Sequence, residues 1–246
     1  MARKDQIWYS FLGKRPEENQ IGFYNTNKFA WVKTIESSAS EIKEEIIRYV
    51  DEDSKRMIPY FNKDLVSKTS VWKTSAFRFW NWNFKKNQKS CPKTMQVLEQ
   101  IPNLISASVS ILEPNSEIHP HRGDTNAIMR GHLPILVPEE KTSLGFKVGD
   151  DQVVWEEGKL LLFNDAAYHN AWNLSSSQRI VLIIDVIRPE FVSRKYNICS
   201  NVLGSLIFQN LALKFNLICK FQQWQKNTFI KLISTVLNPI LRVQNI

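Results

Sequence analysis

The sequence predicts a mainly β protein with flanking helices: a jelly roll followed by a helical C-terminal tail. Three observations carry that reading. Short strand-like runs recur between residues 105 and 186, with turn residues between them. From Tyr196 the apolar residues take helical spacing instead. The 246 residues, 43% of them hydrophobic, suit one sizeable core with an appendage. The expected division is a domain over residues 1–190 and an extension over 191–246.

In chain order, residues 1–35 are rich in aromatics (Trp8, Tyr9, Phe11, Phe23, Tyr24, Phe29, Trp31) and read as short strands or loops. Met1 to Gln6 lead into no long apolar run, so no leader is expected there. Ser38 and Glu41 have capping-box spacing, and Ile42, Ile46, Tyr49 and Val50 follow at helical intervals, so a helix is predicted from about Ser40 to Asp53. Residues 54–90 read as irregular. Trp72, Trp80 and Trp82 beside Lys85, Lys86 and Lys89 could stack nucleic-acid bases, but aromatics capping a β core are the better reading, and no nucleic-acid partner is expected. Pro92 to Gln100 reads as a short helix. Ile105 to Leu112 sets Ser106, Ser108 and Ser110 against Ala107, Val109 and Ile111, the pattern of a half-buried strand. Further strands are predicted at Met129–Val137, Leu144–Val148, Gln152–Trp155, Lys159–Asn164 and Arg179–Val186, with turns at Gly149-Asp150-Asp151 and Glu156-Glu157-Gly158.

Cys91, Cys199 and Cys219 are too few and scattered for a disulfide framework, and none forms a CxxC pair. A reducing cytoplasmic setting is expected. The net charge of +8 is unevenly placed: residues 191–246 hold seven Lys and Arg and no Asp or Glu.

All four histidines, His119, His121, His132 and His169, lie between Ile111 and Glu190. That clustering points to a metal-dependent oxygenase core. Non-haem iron oxygenases hold Fe(II) with two histidines and usually a carboxylate, leaving positions open for co-substrate and oxygen. His121 and His169 fit the two-histidine part; Gly123 stands where the carboxylate would be. Asp124, at an odd offset from His121, points to the other face. His119 is assigned to the rim.

The surrounding segments are Cys91-Pro92-Lys93-Thr94 with Leu98-Glu99, Pro120-His121-Arg122-Gly123-Asp124-Thr125-Asn126, and Arg130-Gly131-His132-Leu133. They continue with Trp155-Glu156-Glu157-Gly158-Lys159, Phe163-Asn164-Asp165, His169-Asn170-Ala171-Trp172, and Arg179 through Asp185-Val186 to Arg188-Pro189-Glu190. In this order they closely resemble the aspartyl/asparaginyl β-hydroxylase family of Fe(II)- and 2-oxoglutarate-dependent oxygenases, over about residues 90–190. The resemblance implies a double-stranded β-helix, iron ligands at His121 and His169, and O2 and 2-oxoglutarate as co-substrates. Family members acting on protein domains also carry Gly at the third-ligand position. Arg179 matches the arginine that pairs with the distal carboxylate of 2-oxoglutarate, a role that suits a guanidinium fork. Ser110 matches a hydroxyl supporting that carboxylate, Arg130 and His132 match residues at the iron-proximal end of the co-substrate, and Trp72 lines the pocket.

The family's usual target is a peptidyl Asp or Asn side chain; relatives also hydroxylate lipid acyl chains or free amino acids. Where the hydroxylase of extracellular domains has basic residues for its substrate aspartate, this chain has Ile128 and Ser108. A halogenase and a non-catalytic jelly-roll binding module remain alternatives at this stage. The basic, apolar tail is expected to be helical and to dock on a membrane surface or partner, the alternative being that it packs on the outside of the barrel.

Overall fold

The computed structural model describes residues 6–13 and 22–244. The reading of Met1 to Gln6 therefore falls largely outside the described residues. The chain begins with α1 (Ala30–Ser37), α2 (Ala39–Glu52), β1 (Ile58–Pro59), β2 (Trp72–Phe79), β3 (Trp82–Asn83), α3 (Lys85–Ser90) and α4 (Pro92–Leu98). Then come β4 (Leu104–Leu112), β5 (Ser116–His121), β6 (Ile128–Leu136), β7 (Leu144–Val148), β8 (Asp151–Val153), β9 (Leu161–Phe163), β10 (His169–Asn173) and β11 (Arg179–Ile187). The tail forms α5 (Lys195–Lys214), α6 (Asn216–Cys219) and α7 (Gln223–Val243).

The strands form two sheets. The larger runs β1-β2-β4-β11-β6-β9, with β3 added beside β2; the smaller runs β5-β10-β7-β8. A cluster of Trp72, Leu112 and Val181 from the first with Ile118, Phe146 and Ala171 from the second fills the space between them. This is the expected jelly roll with flanking helices.

Period-two alternation divides the larger sheet into two buried faces. On β11, Ile180, Leu182, Ile184 and Val186 join Val109, Ile111, Met129, Leu133 and Phe77 in a core that α1, α2 and α4 cover with Val32, Ile35, Ile42, Ile46 and Leu98. The alternate residues, Arg179, Val181, Ile183 and Asp185, turn to the barrel interior. β4 is thus buried on both faces, not half-buried as expected: its serines face the interior instead of water.

Several local expectations are corrected. Residues 30–37 are helical, because burying Val32 and Ile35 against the sheet outweighs the β preference of their aromatic neighbours. Within the stretch read as irregular, β2 pairs with β4 along its length; the mixed polarity of Lys73, Thr74 and Arg78 hid it. Ser38 stands at the α2 N-cap but makes no capping bond, because it also ends α1 and its backbone stays near helical values. α7 runs through Lys231, Asn238 and Pro239 without interruption, held by burial of Ile230, Ser234 and Leu241.

Among the described residues the tail contributes no strand, yet it is built into the fold. α5 sets Ile198, Cys199, Val202 and Leu206 against Trp80, Ile105, Ile128, Ile187 and Phe191. α7 folds back antiparallel on α5, with Phe229 on Phe208 and Asn238 bonded to Asn197. Gly204 lets them close: a Cβ there would meet the Ile230 carbonyl oxygen at 3.0 Å. No helix among the described residues is long and apolar enough to cross a membrane. Trp72 and Trp80 are buried, as expected of aromatics capping the β core, whereas Trp82 is 36% exposed.

Candidate active site

β5 and β10 are antiparallel neighbours, and His169 stands opposite His121. The register shifts between His169 and Ala171, where Ala171 pairs with Ile118, so β5 carries one extra residue at His119-Pro120. That bulge turns His121 to the interior face it shares with Ile118. His119 is left on the exposed rim, its ring bonded to the Asp64 carbonyl at 3.0 Å.

The two rings lie 4.2 Å apart between centroids. His121 Nδ1 donates to the His119 carbonyl at 2.8 Å, and His169 Nδ1 donates to the Ala167 carbonyl at 2.9 Å. Both tautomers are thereby fixed, leaving each Nε2 with a bare lone pair. Burial is the main cause that lowers both pKa values, His169 well below the ordinary range, so both rings are in the neutral form that binds a metal.

Behind this pair sits a group of charges. Arg130 reaches Asp185 through Nε at 2.7 Å and Nη2 at 2.9 Å, and Asp165 through Nη1 at 2.7 Å. The arginine read as a co-substrate contact is thus already tied to two carboxylates, whose charge outweighs the effect of burial and holds the guanidinium charged. Asp165 lies 3.7 Å from His169 Nε2. Its contact with Arg130 is close but off-axis, and neither of its carboxylate oxygens has a hydrogen-bond partner among the described residues. Burial pushes its pKa up, helped by Asp185 and Asp124 and opposed by Arg130. Asp124 accepts from Ser10 Oγ at 3.2 Å instead of approaching the histidines as a ligand.

Gly123 explains how this carboxylate fits. Its N–H donates to the Asp165 carbonyl at 2.7 Å, and a Cβ on it would fall 1.6 Å from Asp165 Oδ2. Asp165 therefore occupies the space that a carboxylate side chain at position 123 would need. Among the described residues no three His, Cys, Asp or Glu side chains form a complete metal cluster. The donor set is two neutral imidazoles, backed by an acidic group with unspent lone pairs. That set fits a divalent cation whose remaining positions are filled by water and co-substrate.

A narrow inner cavity leads from the histidines to Arg179, lined also by Trp72, Ser110, Arg130, His132 and Phe146. Arg179 is 1% exposed, stacks at 4.6 Å over Trp155, and leaves Nε and Nη2 without a hydrogen-bond partner among the described residues. Burial without a counter-charge pulls its pKa down to about 9. Ser110 accepts from Trp72 Nε1 at 3.0 Å, so its own hydroxyl proton is available to a ligand. Trp155 Nε1 donates to His132 Nδ1 at 3.4 Å, which places the His132 proton on Nε2. His132 is held neutral, by burial first and Arg179 next.

The inner cavity opens into an outer one of about 270 Å³, which shares Trp72, His121, Arg130 and Ile183 with it. Tyr60, Phe61, Phe79, Trp80 and Leu206 give it an apolar side, while Asn62, Asp124, Asp185, Arg130 and Gln209 make another part of its lining polar. Arg122 lines it too, stacked at 4.0 Å over Tyr168, with a buried Nε lacking a partner among the described residues.

The family model for aspartyl/asparaginyl beta-hydroxylase matches residues 36–189, from the end of α1 to the end of β11. The chain belongs to this family. The chain is 33% identical over 193 residues to an ornithine lipid ester-linked acyl 2-hydroxylase of Rhizobium tropici, a match covering 76% of this chain and 66% of that protein. It is 29% identical over 172 residues to the aspartyl/asparaginyl beta-hydroxylase of Homo sapiens, covering 67% of this chain and 22% of that protein. The chain thus spans less than two thirds of the length of either relative. A Pseudomonas putida prolyl-4-hydroxylase structure overlays with a TM-score of 0.44 at 12% identity, covering 69% of this chain and 91% of that one, a likeness that carries no argument about chemistry.

The fold of this aspartyl/asparaginyl β-hydroxylase family member brings His121, His169, Arg179, Ser110, His132, Arg130 and Trp72 to one cavity. Three participants escaped the sequence reading: Asp165, Asp185 and Trp155. All lay inside quoted motif segments, and Asp185 has even spacing from Arg179 along its strand, which put both on one face. Nothing local marked Asp165.

Proposed function

We propose that this chain is an Fe(II)- and 2-oxoglutarate-dependent hydroxylase. The observation that carries the reading is Arg179: a guanidinium buried with two unpartnered donor atoms, in the same cavity as two neutral histidines with bare Nε2 atoms. An unpaired buried charge is costly, and a ligand carboxylate removes that cost. His121 and His169 would hold the iron. The bound metal supplies oxygen activation coupled to oxidative decarboxylation of 2-oxoglutarate, ending in a hydroxylated C–H bond.

The chain's own residues do the positioning. Arg179 and Ser110 hold the distal carboxylate, and Trp155 stacks on the guanidinium and fixes its plane. The Nε2–H of His132 offers a donor within the same cavity. Asp165 supplies at the metal the negative charge that Gly123 lacks, and Arg130 keeps it in place. Trp72 and Phe146 help exclude water.

For the substrate we favour the acyl chain of a lipid. The outer cavity has an aromatic and aliphatic side formed by Tyr60, Phe61, Phe79, Trp80 and Leu206, Ser108 within it carries no charge, and Ile128 is buried in the core behind. The lipid hydroxylase among the relatives supports this reading. A peptidyl Asp or Asn is the second reading, supported by the human relative; Arg122 is then the basic residue left to meet its carboxylate.

Succinate release from 2-oxoglutarate, dependent on iron and oxygen, tests the reaction. His121→Ala or His169→Ala should abolish it in a folded protein, and a fully active His169→Ala would remove the basis of the assignment. Arg179→Ala should raise the 2-oxoglutarate requirement by about two orders of magnitude, since a charge-assisted pair is worth roughly 1.5–3 kcal/mol. Unchanged dependence would mean that another residue holds that carboxylate. A +16 mass shift on lipid extract, against one on peptides, separates the two substrates.

A further inference from the structure

We infer that the outer face of α7, with the corner where α5 meets α6, docks on the surface of an anionic lipid bilayer. α7 buries Ile230, Ser234 and Leu241 against α5. On its opposite face Trp224, Leu232, Val236, Ile240 and Val243 recur at intervals that stack them into one stripe. These five side chains are 40–67% exposed. Leu213, Phe215 and Leu217, at the end of the hairpin where α7 begins, are 55–76% exposed. A soluble face of a two-helix hairpin is ordinarily polar, and eight large apolar side chains on one hairpin mark an interaction surface.

Charge selects the occupant. Lys214, Lys220 and Lys231 are exposed around the stripe, and the whole of residues 191–246 carries no Asp or Glu. A second copy of the tail would bring like charges together over the same patch, with no acidic residue to offset them. An anionic membrane supplies the counter-charge across its whole surface and receives the apolar stripe between its headgroups, with Trp224 suited to that boundary. The helix lies flat, since it is too polar to span. The opposite side of α5 lines the outer cavity through Leu206 and Gln209, so the docked hairpin is also a wall of the substrate site.

The inference is independent of the hydroxylase reading, because its test needs no turnover. Co-sedimentation of the full chain with phosphatidylglycerol-containing vesicles and with pure phosphatidylcholine vesicles is the measurement. At least tenfold tighter binding to the anionic vesicles is expected, falling as salt rises. Leu232→Ser with Val236→Ser should lower it tenfold or more, and so should Lys214→Gln, Lys220→Gln and Lys231→Gln together. The lysine set removes no packed side chain and carries the test if the first pair lowers the melting temperature. Equal binding to both vesicle types, or binding untouched by the lysine set, overturns the inference. So does absent vesicle binding together with a light-scattering mass of a dimer that the apolar pair dissociates; that result would make the stripe a contact between copies.

Discussion

At the scale of single residues, Gly123 is the position where chemistry and packing meet. Its missing Cβ makes room for a buried carboxylate arriving from another loop. Gly123→Ala must displace Asp165, and with it one half of the double clasp on Arg130. Breaking one arm of a buried ion pair costs on the order of 3–5 kcal/mol, so a clear fall in melting temperature and in iron affinity is expected. Calorimetry on wild type and variant checks the first, and iron titration the second; an unchanged melting temperature would mean that the loop yields without strain. The buried thiols offer a second check. Burial pushes Cys91 and Cys199 both up to about 12, so neither should react with a thiol reagent at neutral pH until the protein is unfolded. Prompt labelling of either in the native state would show that the α3–α4 junction around Cys91, or α5 around Cys199, opens locally.

At the scale of elements, the helices on the outer face are tied to one another by a carboxylate. Glu45 of α2 is buried and accepts from the backbone N–H groups of Lys93 at 3.2 Å and Thr94 at 2.7 Å. Cys91 supplies no side-chain cap, so Glu45 satisfies the first free donors of α4 and meets the positive end of its dipole. Glu45→Ala should cost about 1–2 kcal/mol, the value of a lost N-cap, while leaving 2-oxoglutarate dependence unchanged. Urea denaturation measures the first, and a shifted co-substrate requirement would contradict the second. The bulge in β5 is the corresponding device in the smaller sheet. It decides which face His121 occupies without touching the ring.

At the scale of the whole molecule, the tail and the barrel share a core. Ile198, Val202 and Leu206 are three apolar side chains that a chain ending at Ser193 would strip from Trp80, Ile105 and Ile128. At roughly 1.5–3 kcal/mol each, their loss rivals the 5–15 kcal/mol that stabilises a typical domain. The shortened chain should therefore aggregate or unfold, as circular dichroism and gel filtration would read. A well-folded product would make the tail a separable appendage.

The sequence by itself determined the family, the strands β4, β6, β7 and β11, the turns at Gly149 and Gly158, and the candidates His121, His169 and Arg179 that the fold brings to one cavity. Those signals are local: alternation along one strand, a glycine at positive φ, a motif in a fixed order. Only the tertiary structure decided that the serine face of β4 is buried, that a bulge turns His121 inward, and that α5 lines the outer cavity. It alone revealed Asp165 as the carboxylate beside the histidines. Each of these depends on what approaches from a distant part of the chain. Spacing along one strand tells which residues share a face, and packing between strands decides whether that face meets water, a core or a site.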